Sequence, residues 1–134
     1  MPPGRRWRGG RGAEGLTPRP IRGFVEPALL LLLHQGPSYG YELISGLARV
    51  GFSEYSVDPS TVYRCLDGLE RSGMVLSTWD SVQSFGPPRR VYTITPAGEA
   101  QLGAWVAELR LTDRVLHQFL EQYDKAFPDA GDQA

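Results

Sequence analysis

The sequence predicts a mainly α-helical fold with a small β wing: a winged helix-turn-helix domain followed by one long C-terminal helix. Three observations predict it. Residues 58–95 read as a helix marked at both ends, a strand, a Gly/Pro loop with two arginines, and a second strand. Two shorter helical patterns precede that stretch, and each is closed by a glycine. A third pattern, much longer, follows it from Pro96 to about Phe127.

Residues 1–22, MPPGRRWRGGRGAEGLTPRPIR, are rich in Gly, Pro and Arg and lack apolar periodicity, which predicts a disordered N-terminal arm. Such an arm either follows a phosphate backbone or a minor groove, or is a solvated tail with no role. The winged-helix domain is placed at 23–95, the C-terminal helix at 96–127, and a disordered tail at 128–134.

The first helix is expected from about Val25 through His34. Pro27 is tolerated in its first turn, and the dense run Leu29 to Leu33 calls for burial on more than one face. Gly36-Pro37 ends it. Ser38 is expected to cap a second helix, Tyr39 to about Val50, in which Tyr41, Ile44, Leu47 and Ala48 recur at helical spacing and Gly51 marks the end.

The third helix is marked most clearly. Asp58 stands at its cap, Pro59 in its first turn, where a missing N–H costs nothing, and Gly73 where a left-handed residue is needed. Val62, Leu66 and Leu69 should face the core, which leaves Ser60, Thr61, Arg64 and Asp67 outside. Small hydroxyls and one arginine are the chemistry that reads base edges in a major groove. Met74 to Trp79 and Val91 to Ile94 have strand composition, and Phe85-Gly86-Pro87-Pro88-Arg89-Arg90 joins them, with the arginines at the tip or return of the hairpin.

Thr95-Pro96 is another cap and first-turn proline. At about 1.5 Å per residue, the helix it starts would run about 45 Å, too long for so small a domain to cover. Leu102, Trp105, Val106, Leu109, Leu116, Phe119, Leu120, Tyr123 and Phe127 form its apolar stripe. The stripe either meets a partner helix in a homodimer or folds back on its own core.

These pieces, taken in order, are similar to the PadR family of transcriptional regulators over most of residues 24 to 127. They are Gly40-Tyr41-Glu42-Leu43, Ser60-Thr61-Val62-Tyr63, Leu66-Asp67-Gly68-Leu69-Glu70, Gly73-Met74-Val75, Arg89-Arg90-Val91-Tyr92 and Ile94-Thr95-Pro96-Ala97-Gly98. The chain departs from the family pattern at Tyr39, where some members carry His, at Arg64-Cys65, where the pair usually begins with Pro, and at Val91, where a tyrosine is usual. The resemblance implies a cytoplasmic, ligand-responsive repressor that binds an inverted-repeat operator in double-stranded DNA as a homodimer. It implies DNA contacts at Ser60, Thr61, Tyr63, Arg64, Arg89, Arg90 and Tyr41, with the wing arginines on phosphate. Subunit pairing falls to the C-terminal helix, at Leu102, Trp105, Val106, Leu109, Leu116, Phe119, Leu120 and Tyr123. Related regulators bind planar aromatic compounds at aromatics of the dimer centre, which makes Trp105 a candidate for a small aromatic effector; packing is its other role.

Arg64 and the tyrosines also have plainer readings. Arg64 could pair with Asp67, three positions on, Tyr41 could be a core aromatic with one wet end, and Tyr63 and Tyr92 could pack between helix and wing. Charge supplies an objection to DNA binding. Residues 1–22 carry six Arg against one Glu, whereas residues 23–134 carry eight bases against fourteen acids. Phosphate contact needs local basic character, and Arg64, Arg71, Arg89 and Arg90 are expected to cluster. The alternative is a winged-helix protein-interaction module without DNA binding.

Other classes lack support. His34, His117 and Cys65 fall on three separate predicted helices without metal-ligand spacing, so no catalytic or metal site and no cofactor is expected. No phosphate-binding glycine loop is present. One cysteine forms no internal disulfide, and Cys65 reads as a small buried hydrophobe or an oxidant sensor. No run of about 18 apolar residues occurs, so no membrane association is expected.

Overall fold

The computed structural model describes residues 23–80 and 87–128. The expected arm at 1–22, the wing tip around Phe85-Gly86 and the end of the expected tail lie outside the described residues. The described elements run in the order α1 (Val25–His34), β1 (Ser38–Tyr39), α2 (Gly40–Gly46), a 3-10 turn (Leu47–Val50), α3 (Pro59–Arg71), β2 (Val75–Asp80), β3 (Arg89–Ile94) and α4 (Pro96–Ala126). The chain divides into two compact units, residues 1–102 and 103–134.

In the first unit, α1 supplies the centre of the core. Its run of leucines buries Leu29, Leu30, Leu32 and Leu33 and leaves Leu31 outside, so the helix is enclosed on most of its circumference. Against it lie Leu43 and Leu47, Val62, Leu66 and Leu69 of α3, Val75 of β2 and Tyr92 of β3, all buried. The burial of Val62, Leu66 and Leu69 agrees with their helical spacing.

Helix ends follow the local chemistry, with two revisions. Gly73 has φ 80°, and the amides of Gly73 and Met74 reach back to the carbonyls of Glu70 and Leu69. The Thr95 hydroxyl accepts the Gly98 amide at 3.0 Å, as a cap should. Asp58, however, makes no side-chain cap bond: its carboxylate accepts the Ser60 hydroxyl at 2.7 Å, while its backbone carbonyl accepts the Thr61 and Val62 amides.

The second helix differs more from expectation. Ser38 does not cap it; Ser38 and Tyr39 pair with Tyr92 and Val91 as a third, two-residue strand, giving sheet order β1-β3-β2. Glu42 holds the start of α2 instead, accepting the Tyr39 amide at 3.1 Å and the Ser38 hydroxyl at 3.0 Å. The buried face is Gly40, Leu43, Gly46 and Leu47, and Tyr41 and Ala48 lie outside. The change to 3-10 geometry at Leu47 shifts the side-chain period from 3.6 to three, so a single helical stripe cannot hold across the junction.

β2 and β3 pair antiparallel from Val75↔Ile94 to Asp80↔Arg89. The arginines therefore open the returning strand. Gly98 locks α4 to the sheet: a Cβ there would collide with the Met74 carbonyl oxygen and fall 2.7 Å from Ile94 Cγ1. In the second unit, Leu116, Phe119, Leu120 and Tyr123 of α4 and Phe127 just past its end are all exposed, each at least 43% accessible.

Candidate nucleic-acid interface

The side of α3 away from the core carries the small polar residues. Ser60 and Arg64 are exposed and Thr61 is half-buried. Arg64 Nη2 donates to Thr61 Oγ1 at 3.3 Å, one turn back on the helix, and does not pair with Asp67. Its charge thus meets a neutral hydroxyl, and the guanidinium keeps donors available to a ligand.

Four of the other expected contacts converge on one cleft of about 500 Å³. Tyr41 comes from α2, Tyr63 from α3, and Arg89 and Arg90 from β3; Ser60, Thr61 and Arg64 lie outside it. The two helices approach closely here because residue 40 is glycine. A Cβ at that position would fall 2.5 Å from Tyr63 Cε1, so the Tyr63 ring occupies the space a side chain would take.

Arg89 and Arg90 alternate across the strand, as neighbours must, and meet opposite chemistry. Arg89 Nη1 donates to the Tyr41 hydroxyl at 2.8 Å, and its guanidinium lies 4.9 Å from the centre of the Tyr39 ring and 5.6 Å from that of Tyr41. The two rings are nearly parallel, 7° apart with centres at 5.7 Å. Tyr39 is fixed from the other end, its hydroxyl donating to Asp80 Oδ2 at 2.6 Å. That hydrogen bond, with desolvation and the Asp80 charge adding to it, raises the Tyr39 phenol above its ordinary value. The Arg89 cation is thus oriented by neutral phenols and stays exposed.

Arg90 is half-buried and its charge is answered. Nη2 donates to Glu70 Oε1 at 3.2 Å and to Ser77 Oγ at 2.8 Å, and Ser77 Oγ donates to Glu70 Oε2 at 2.9 Å. The guanidinium also stands 5.6 Å from the Trp79 ring centre and 5.7 Å from that of Tyr92. Sequence reasoning did not select Tyr39, Asp80, Glu70, Ser77 or Trp79 as part of this site. Only the hairpin register, which sets Trp79 opposite Arg90 and Asp80 opposite Arg89, would have pointed to some of them.

Cys65 is half-buried on α3, and burial pushes its thiol up, with Glu26 adding to the shift and Arg64 opposing it. Its thiolate is disfavoured, which runs against an oxidant sensor. Among the described residues no group of three or more His, Cys, Asp or Glu could hold a metal ion. None of their helices is long and apolar enough to cross a membrane. On α4, Leu102, Trp105, Val106 and Leu109 are half-buried, whereas Leu116, Phe119, Leu120 and Tyr123 are exposed.

Comparison with known proteins agrees with this geometry. A transcriptional regulator of Clostridium thermocellum superposes with a TM-score of 0.69 at 30% identity, over 78% of this chain and 97% of that one. A transcriptional regulator of Mycobacterium tuberculosis is 38% identical over 86 residues, 61% of this chain and 76% of the relative. The structure of Bacillus subtilis PadR in complex with operator DNA matches with a TM-score of 0.55 at 25% identity, over 62% of this chain and 46% of that larger one. Residues 29–104, more than half of the chain, match the model of the transcriptional regulator PadR-like family. Hence the winged helix, its tyrosine-lined cleft and its paired wing arginines belong to a member of the PadR-like family of transcriptional regulators, not to an enzyme.

Proposed function

We propose that this chain binds double-stranded DNA as a homodimer and acts as a ligand-responsive repressor at an inverted-repeat operator. One observation carries the reading: α3 turns Ser60, Thr61 and Arg64 outward while its opposite face is sealed into the core, and an exposed Arg89 cation is held in the same unit. Arg64 supplies bidentate donors of the kind that read guanine, and Ser60 and Thr61 suit phosphate or base edges near the helix start. Arg89 and the Tyr41 hydroxyl suit phosphate, which positions the protein without reading sequence. The Bacillus subtilis relative bound to operator DNA supports the choice of ligand.

Homodimerisation rests on the exposed apolar residues of α4, which a second copy of the same helix would cover. Two copies related by a twofold axis call for two half-sites in inverted repeat. Trp105, half-buried on the same helix, is the candidate contact for a small aromatic effector.

Salt dependence of duplex binding tests the proposal. Each phosphate neutralised contributes about −0.9 to the slope of log affinity against log salt, so a steep fall is expected. The net acidity of residues 23–134 favours a second reading, a protein-interaction module. Absence of duplex binding at low salt would select that module.

A further inference from the structure

The two adjacent wing arginines have different partners, and the difference assigns them different work. Arg89 meets neutral phenols, whereas Arg90 closes a triangle with Glu70 on α3 and Ser77 on β2. All three edges of that triangle are hydrogen bonds, and one is also an ion pair. Its corners lie on three elements: the last turn of the helix, and each strand of the wing.

We propose that Arg90 is a positioning residue, not a phosphate contact: with Glu70 and Ser77 it sets the angle between α3 and the wing strands β2 and β3. The inference rests on the DNA-binding reading and refines it. The Arg90 charge is already answered by a carboxylate, so a phosphate met by its remaining N–H groups would gain less from it and would stand beside the Glu70 anion. The contacts with Trp79 and Tyr92 also hold its plane against the sheet. The neighbouring Arg89 is partnered by phenols and carries no such paired anion. Fixing the wing through Arg90 therefore places Arg89 at a defined distance from the exposed face of α3, which a double-stranded site of fixed geometry requires.

The roles separate in the sign of one substitution. Glu70→Gln keeps the shape of the side chain and removes its charge. If Arg90 touched phosphate, Glu70→Gln would release the arginine and remove a repelling anion, so duplex affinity would stay the same or rise. A positioning role requires the opposite, a loss of about five- to tenfold. Affinities are measured by fluorescence anisotropy on random-sequence duplex and on duplexes selected by the wild type, below the Tm of every variant, for Glu70→Gln, Arg90→Ala and both together. Expected is a loss in each single variant, with the double variant no weaker than Arg90→Ala, because residues acting as one unit are not additive. Undiminished or tighter binding by Glu70→Gln would overturn the inference, as would a full additional loss from Arg90→Ala in the Glu70→Gln background. A lowered Tm with unchanged affinity would also overturn it, leaving the triangle a role in stability alone. These results leave the parent reading intact if the wild type binds duplex; a wild type that binds none removes both.

Discussion

Tyr39 shows how a single side chain can differ from what its position suggests. In sequence it opens the expected second helix and stands where some family members carry His; in the fold it carries a strand pairing, a ring stacked on Tyr41, a face presented to Arg89 and a hydroxyl bonded to Asp80. Its hydroxyl donates to a carboxylate, so folding favours the neutral phenol, and the folded pKa lies above the ordinary 10.0. The stabilisation is accordingly complete below the unfolded value and is lost as pH rises through the raised folded value. Asp80→Asn should lower one tyrosine titration, read by phenolate absorbance against the wild-type curve, and should weaken duplex binding by loosening Arg89. Superimposable titrations would contradict the assigned hydrogen bond. Neither Tyr39's link to Asp80 nor Arg90's to Glu70 was legible beforehand, because partners 41 and 20 residues apart meet only once the strands have paired.

At the scale of elements, local chemistry was informative wherever an end is specified by its own residues. α1 ends where expected, α3 begins at Pro59 and closes with Gly73, and α4 starts behind a threonine cap. The second helical stretch ends at Val50 and Gly51 as expected; its cap was misjudged because Ser38 and Tyr39 pair with β3 and Glu42 takes the capping role, and its apolar stripe because the last turn tightens to 3-10 geometry. The junction between sheet and α4 depends on a residue with no side chain. Gly98→Ala would press a methyl group onto backbone and onto Ile94, and overpacking of this kind costs about 1–3 kcal/mol. Thermal unfolding should show a lowered Tm for Gly98→Ala, whereas Gly68→Ala, with open space around it inside α3, should be neutral or stabilising. Equal Tm values for the wild type and Gly98→Ala would refute the close approach.

For the whole molecule, charge and apolar surface set the terms. The net excess of acid in residues 23–134 does not preclude DNA binding if cations are held locally, and Arg64 and Arg89, both exposed and partnered by neutral groups, fulfil that condition. The apolar stripe of α4 was legible from its spacing, since periodicity survives without any partner being known; under the proposed homodimer a second copy of the helix covers Leu116 and Phe119. Replacing both with Asp should convert a dimer to a monomer in sedimentation and reduce duplex affinity at least tenfold, as two linked half-site contacts become one. A dimer that persists after both changes would place the subunit interface elsewhere.

Sequence-specific reading of DNA by the outer face of α3 is tested most directly by selecting binding sites from random duplex DNA with the wild type and with Arg64→Ala. The wild type should recover an inverted repeat. Arg64→Ala should lose preference at one position of each half-site, by about 1–3 kcal/mol, while the other positions keep theirs. Recovery of the same motif with unchanged preference by Arg64→Ala, or no enrichment by either protein at low salt, would contradict it.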